Sequence, residues 1–154
     1  MRPVRKHVVL IAPIVVNNDT EGKPAAGLDT RGFGYVELTA SCGISADTLS
    51  GSVKYEIKLE ESDTDVDGNY VAITDAARVV TGLCPARVVA PAAAGVIATV
   101  DDAAEDPAHF RIGVIPSKRY VRLWLDTTGT HTNGFPATIY GDCFMPTISP
   151  AVDA

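Results

Sequence analysis

The chain has 154 residues, 46% apolar and 21% charged, with a formal net charge of −6; a chain of this length forms one domain and buries roughly 70% of its unfolded surface without help from disulfides or metal. Its composition excludes a disordered chain, and its acidic balance argues against a broad basic surface for nucleic acid. Cys42, Cys84 and Cys143 are widely spaced and include no C-x-x-C, which argues against a disulfide framework or a structural zinc and fits free thiols in a reducing compartment.

The N-terminus carries Arg2, Arg5 and Lys6 without an acid, followed by an apolar run from Val8 to Val16. A signal peptide has this outline, but Pro13 interrupts the run, no small-x-small cleavage site follows, and Asn17–Asn18–Asp19 ends it. The run is too short to span a bilayer. It reads as an extended arm or first strand, whose cations either dock on an acidic partner surface or fray. Next, "GYVELTASC" alternates Val36, Leu38, Ala40 and Cys42 against Tyr35, Glu37, Thr39 and Ser41. "SVKYEIKLEES" is the strongest periodic signal, setting Val53, Tyr55, Ile57 and Leu59 against Lys54, Glu56, Lys58 and Glu60. Period two places one set in a core and the other in water.

"ESDTDVDGNY" follows, with Asp63, Asp65 and Asp67 ahead of Gly68. That spacing opens an EF-hand loop, which needs helical flanks and a bidentate Glu at its twelfth position. The twelfth residue from Asp63 is Thr74, and both flanks read as strands. A solvated hairpin connection is the better reading, with Gly68 supplying a positive φ. A weakly held ion on the three carboxylates stays open.

Shorter runs come next: "YVAIT", "RVVT" and "AGVIATV". "HFRIGVI" puts Phe110, Ile112 and Val114 on one side. "RYVRLWLDTTG" sets Val121, Leu123 and Leu125 against Tyr120, Arg122 and Trp124, and "FPATIYGDCF" sets Ala137, Ile139, Gly141 and Cys143 against Thr138, Tyr140, Asp142 and Phe144. Turn residues separate the runs, and "DDAAED" has room for one helical turn. The pattern predicts an all-β, single-domain antiparallel β-sandwich or jelly roll of about eight strands. Residues 1–33 form an extended N-terminal arm and first strand, 34–146 the sandwich core, and 147–154 a C-terminal tail.

No motif places a histidine beside a nucleophile: His7 lies in the basic arm, His109 at a strand start, and His131 in a polar loop. Nucleotide-binding and zinc-protease motifs are absent. The expectation is no catalytic residue, no cofactor, no metal and no small-molecule substrate. Tyr120, Arg122 and Trp124 share the strand parity opposite the aliphatic set. They are either an outward-facing protein-interaction patch, since aromatics and Arg carry interface energy, or a second buried layer. With Arg2, Arg5 and Lys6 they are the candidate interaction residues.

"SGSVKYEIKLEESDTDVDGNY", "ITDA" and "IPSKRYVRLWLDTTGTHTNGFP" together resemble small structural head proteins of tailed bacteriophages, above all capsid cement or decoration proteins of jelly-roll type. The resemblance covers roughly Ser50 to Cys143 and is most specific at Lys118–Arg119–Tyr120 and at Thr128 to Gly134. The N-terminal third and Leu83 to Val96 fall outside it. It implies a non-enzymatic subunit, made in the bacterial cytoplasm, that stabilises the outside of a virion. Its partners would be the major capsid protein and itself, as homodimer or homotrimer, with neither nucleic acid nor membrane involved. The acidic charge and the lack of an active site agree with that. A ligand-binding sandwich (carbohydrate-binding or calcium-dependent) and a head–tail or tail component are the alternatives.

Overall fold

The computed structural model describes residues 6–83 and 88–146. Ten strands are present: β1 (Lys6–Val16), β2 (Leu28–Asp29), β3 (Phe33–Cys42), β4 (Lys54–Ser62), β5 (Val71–Ala72), β6 (Val79–Val80), β7 (Val96–Val100), β8 (Ala108–Val114), β9 (Tyr120–Thr128) and β10 (Phe135–Pro146). One short helix, α1 (Asp19–Gly22), lies between β1 and β2. "DDAAED" supplies one 3-10 turn, Ala103–Glu105.

The strands form two antiparallel sheets. Sheet A has the order β1-β10-β3-β8-β6, and sheet B the order β2-β9-β4-β5, with β7 also paired to β4. With the two-residue strands β5 and β6 set aside, the pairings are nested: β1 with β10, β2 with β9, β3 with β8, and β4 with β7. The chain crosses from one sheet to the other at each step between these strands except from β4 to β7, which are neighbours in sheet B. That is the winding of a jelly roll.

The alternation explains the core. Val36, Leu38, Tyr55, Ile57, Leu59, Ile112, Val121, Leu123, Leu125, Ile139 and Cys143 are 0% exposed, and Ala137 and Cys42 are 5% exposed. They come from both sheets and meet between them, as two pleated layers with one apolar face each must. β4 and β5 form the hairpin expected around the Asp loop, with Glu60 opposite Ala72 and Glu61 opposite Val71. Gly68 sits inside the 3-10 turn Asp67–Asn69 and is not among the positive-φ glycines, so its expected left-handed role is corrected.

The segment expected as an arm is divided between the two sheets. Residues 6–16 are the edge strand of sheet A, residues 17–27 lie against sheet B, and Leu28–Asp29 joins sheet B as its edge strand β2. Arg2 and Arg5 lie outside the described residues, as do Cys84 and the tail 147–154. Lys6 is the first residue of β1, where its Nζ donates to Asp29 O at 3.0 Å.

Candidate interaction faces

A sandwich has two outer faces, and this chain treats them differently. On sheet B, β9 and β4 bring Trp124 opposite Lys58, Arg122 opposite Glu60, and Asp126 opposite Glu56. The periodicity alone leaves this row either exposed or covered by a second layer; residues 17–27 and the 63–70 loop fold over it. Trp124 is only 6% exposed and Arg122 only 4%. Lys23 stands 4.6 Å above the Trp124 ring, with Lys58 5.3 Å from it. The Arg122 guanidinium stacks 3.9 Å from the Tyr70 ring and pairs with Glu60 Oε2 and Asp67 Oδ1, each at 2.7 Å. Arg122 and Trp124 therefore form a second buried layer, and the reading of them as an exposed patch is corrected. Tyr120 is half-buried, with Arg119 4.8 Å from its ring.

The sequence around α1 explains the cover. Asn18 caps the helix by accepting from Glu21 N at 3.1 Å, and Glu21 accepts from Asn17 N at 2.7 Å, a reciprocal cap of the kind that starts helices. Asp19 Oδ1 accepts from Thr127 N at 2.8 Å and from Thr127 Oγ1 at 2.7 Å, which ties the helix to β9. Gly22 makes the close approach possible, because a Cβ there would meet the Leu125 carbonyl oxygen at 2.0 Å.

The Asp loop completes this cover. Asp65 Oδ1 accepts from Gly27 N at 2.9 Å and from the Tyr70 hydroxyl at 2.7 Å. Asp67 faces Arg122 and, at 3.6 Å, Lys23. Asp63 lies 4.0 Å from Lys118. Each carboxylate already faces its own donor or cation. Asp67 is held below its ordinary range by the Arg122 hydrogen bond. Among the described residues no group of three or more His, Cys, Asp or Glu side chains converges as metal ligands do.

The outer face of sheet A is more open: His7 and Val9 on it are exposed and Tyr35, Glu37, Arg111, Tyr140 and Phe144 half-buried, while Thr39 and Asp142 are buried among them. Its rows follow from the register. One runs His7, Asp142, Glu37 and Gly113; the next runs Val9, Tyr140, Thr39 and Arg111. Phe144 and Tyr35 pair beyond the first row. Asp142 and Glu37 are like charges directly opposite one another, a destabilising arrangement by itself. Partners on both flanks offset it: the His7 imidazole, whose Nδ1 lies 2.8 Å from Asp142 Oδ1, and the Arg111 guanidinium, whose Nη2 pairs with Glu37 Oε2. The Tyr35 hydroxyl donates to Glu37 at 3.3 Å, and burial together with that carboxylate pushes the phenol up to about 12. A Cβ at Gly113 would meet the Tyr35 hydroxyl oxygen at 2.1 Å, so this glycine lets the Tyr35 ring lie flat on the sheet. The face is thus aromatic, with its charges paired within it. It borders the apolar side chains of β1, of which Val9 is 56%, Ile14 45% and Val15 42% exposed. Ile14, Val15 and Pro136 line a groove of about 630 Å³ at one end of it.

The histidines take three different settings. His109 is exposed on β8. His131, expected in a polar loop, is 8% exposed and stacks 4.1 Å from the Tyr55 ring. Its Nε2 donates to Thr128 O at 3.0 Å, and its Nδ1 lies 3.4 Å from Asp47 Oδ2. Asp47 also accepts from the backbone N–H groups of Thr132, Asn133 and Gly134, at 3.1, 2.9 and 3.0 Å. Burial raises the Asp47 pKa, and these donors more than reverse the effect, leaving it below its ordinary range. Both imidazole nitrogens thus face a loop carbonyl or carboxylate, and neither faces a Ser or Cys side chain. The sequence missed this cluster because Asp47 and His131 are far apart along the chain and meet only through the jelly-roll winding.

Among the described residues no helix is long and apolar enough to cross a membrane. Comparison of the chain with protein-family models, with curated proteins and with solved structures finds no match.

Proposed function

We propose that this chain is a structural virion protein that binds the outside of a bacteriophage capsid and stabilises it as a cement or decoration subunit, with the major capsid protein as its partner. The observation that carries the reading is the asymmetry of the sandwich. One outer face is covered by the chain itself, while the other offers a more open, aromatic surface with its polar groups partnered, beside an apolar edge strand. Such a domain acts by burying surface on its neighbours, with no chemistry of its own. Aromatic and Arg side chains supply most of the energy of such contacts, and several modest contacts on linked subunits add up to firm attachment. The resemblance over Ser50 to Cys143 supports the same reading, and the net charge of −6 suits a protein held away from packaged DNA.

Co-sedimentation of the purified protein with empty shells of the phage that encodes it tests this. The expected result is saturable binding at a copy number compatible with capsid symmetry, unchanged by calcium chelation. Absence of binding overturns the reading. Binding that vanishes in chelator points instead to a calcium-dependent module built on Asp63, Asp65 and Asp67.

A further inference from the structure

We propose that the end of the sandwich where Lys6, Arg31 and Arg119 gather around Asp29 is a binding site for a carboxylate-rich segment of a partner protein. The first observation concerns charge. Elsewhere among the described residues each Lys and Arg has a carboxylate of its own, as Lys58 has Asp126 and Arg78 has Glu61. At this end three cations share one. Arg31 Nη2 and Arg119 Nη2 lie 3.3 and 3.0 Å from the same oxygen, Asp29 Oδ2, and the Lys6 ammonium reaches only the Asp29 main-chain oxygen, at 3.0 Å. A positive excess thus sits at one place on a chain of net charge −6. Such a molecule attracts a partner's carboxylates to that place and repels them from the rest of its surface.

The second observation concerns donors. A guanidinium carries five N–H groups. The Arg31 side chain uses one, from Nη2 to Asp29 Oδ2, and the Arg119 side chain uses two, from Nε and Nη2. The others stay available on side chains that are 70 and 40% exposed. The third observation is that the site is already ordered. Thr30, 4% exposed, donates from both its N–H and its Oγ1 to Arg119 O, at 2.8 and 2.9 Å, which ties the turn after β2 to the start of β9. Gly32, at φ 87°, closes that turn, and the Arg31 N–H donates to Asp29 Oδ1 at 3.0 Å. Asp29, held at about 2 chiefly by the Arg119 hydrogen bond, stays ionised wherever a partner's carboxylates are charged. It therefore orients both guanidinium groups in advance, and less side-chain freedom is lost on binding. Asp29 also shows the class of anion that these planar groups accept, since their forks match the two oxygens of a carboxylate. A nucleic acid fits less well, because its phosphates would run on past three cations over an acidic surface.

This site goes beyond the capsid-binding reading, and its test uses no shells, so failure of one is distinguishable from failure of the other. Fluorescence anisotropy of a fluorescein-labelled hexaglutamate peptide, titrated with the purified full chain, measures the binding. Saturable binding is expected at low salt and should weaken at about 0.15 M salt, where charges are screened over about 8 Å. Arg31→Gln is expected to weaken it about fivefold. Lys54→Gln removes the same charge from a cation that has its own carboxylate, Glu56, and is expected to weaken it less than about twofold. Arg31 is an exposed turn residue, and circular dichroism confirms that both variants are folded. A single strand of six thymidines with the same label is expected to bind more weakly than the peptide. Absence of saturable peptide binding, equal losses in the Arg31 and Lys54 variants, or tighter binding of the oligonucleotide overturns the proposal.

Discussion

Gly22→Ala tests how residues 17–27 are seated on sheet B. The added Cβ would lie 2.0 Å from the Leu125 carbonyl oxygen, about 1.4 Å inside ordinary contact. The Leu125 oxygen is backbone in the middle of β9 and has little freedom, so α1 must retreat. Retreat by that amount breaks the two hydrogen bonds from Thr127 to Asp19, now 2.8 and 2.7 Å long. Bonds to a charged acceptor contribute about 1.5–3 kcal/mol each at most, and partial rehydration of Asp19 at the surface lowers that. Strain from overpacking is about 1–3 kcal/mol when the chain does not retreat. Either route predicts a loss of about 2–3 kcal/mol, or about 4–12 °C in Tm for a domain of this size. Urea unfolding followed by circular dichroism measures the loss. Trp124 emission shows its cause, because retreat of α1 admits water and acrylamide to a ring now 6% exposed. Gly51→Ala is the control, since a Cβ there meets nothing within 4 Å. Unchanged stability and emission in Gly22→Ala would refute the close seating of α1 on β9.

Arg122→Met keeps the stem and removes a guanidinium held by Glu60 and Asp67; it is expected to destabilise by about 3 kcal/mol, because Glu60 is left poorly solvated and unpaired. In the same variant the Asp67 pKa is expected to rise toward its ordinary 3.8, read from carboxyl NMR titration. Acid should unfold the protein in a defined window. Asp29, held at about 2 chiefly by the Arg119 hydrogen bond, and Asp47, Glu61 and Asp67 all lie below their ordinary values. Their contribution is complete above the unfolded values of 3.8 and 4.5 and is lost as pH falls through the lower folded values. Stability should therefore be level near neutrality and fall steeply from about pH 4.5 toward pH 2; a Tm that stays constant down to pH 2 would contradict this. Burial pushes the Cys42 thiol up to about 12, and burial first among several causes pushes Cys143 up to about 11. In a Cys84→Ser background neither thiol should react with an aromatic disulfide reagent until denaturant unfolds the chain.

Most of the strands were legible because β3, β4, β8, β9 and β10 keep strict alternation, whereas β1 is an apolar run broken by two bulges. The inward sets of β3, β4, β8, β9 and β10 are those that period two assigns. Alternation states which residues share a face, but it is silent on what lies over that face. For that reason Trp124 and Arg122 were equally compatible with surface and with a second layer. A local sign of their cover existed in Asn18 and Glu21, three apart at the start of α1, and in Gly22 after them. The sheet A face was not legible at all. His7 and Asp142 are 135 positions apart, and only the pairing of β1 with β10 brings them together. His131 lies in the loop its sequence indicates, and only its burial was hidden: the loop sequence gave no hint that Asp47 would gather its backbone amides and that the ring would stack on Tyr55.

The nested pairing also governs how the molecule is made. β9 and β10 are consecutive, yet each occupies an interior position in its own sheet: β10 lies between β1 and β3, and β9 between β2 and β4. A ribosome therefore releases β1, with its apolar KHVVLIAPIVV sequence, long before its neighbour exists. Until the last two strands emerge, neither sheet is continuous and the early strands lack partners. Contacts this distant along the chain form slowly. A growing chain with unpaired apolar strands is also open to aggregation. Low expression temperature and a high supply of chaperones should raise the soluble yield more than any stabilising surface substitution.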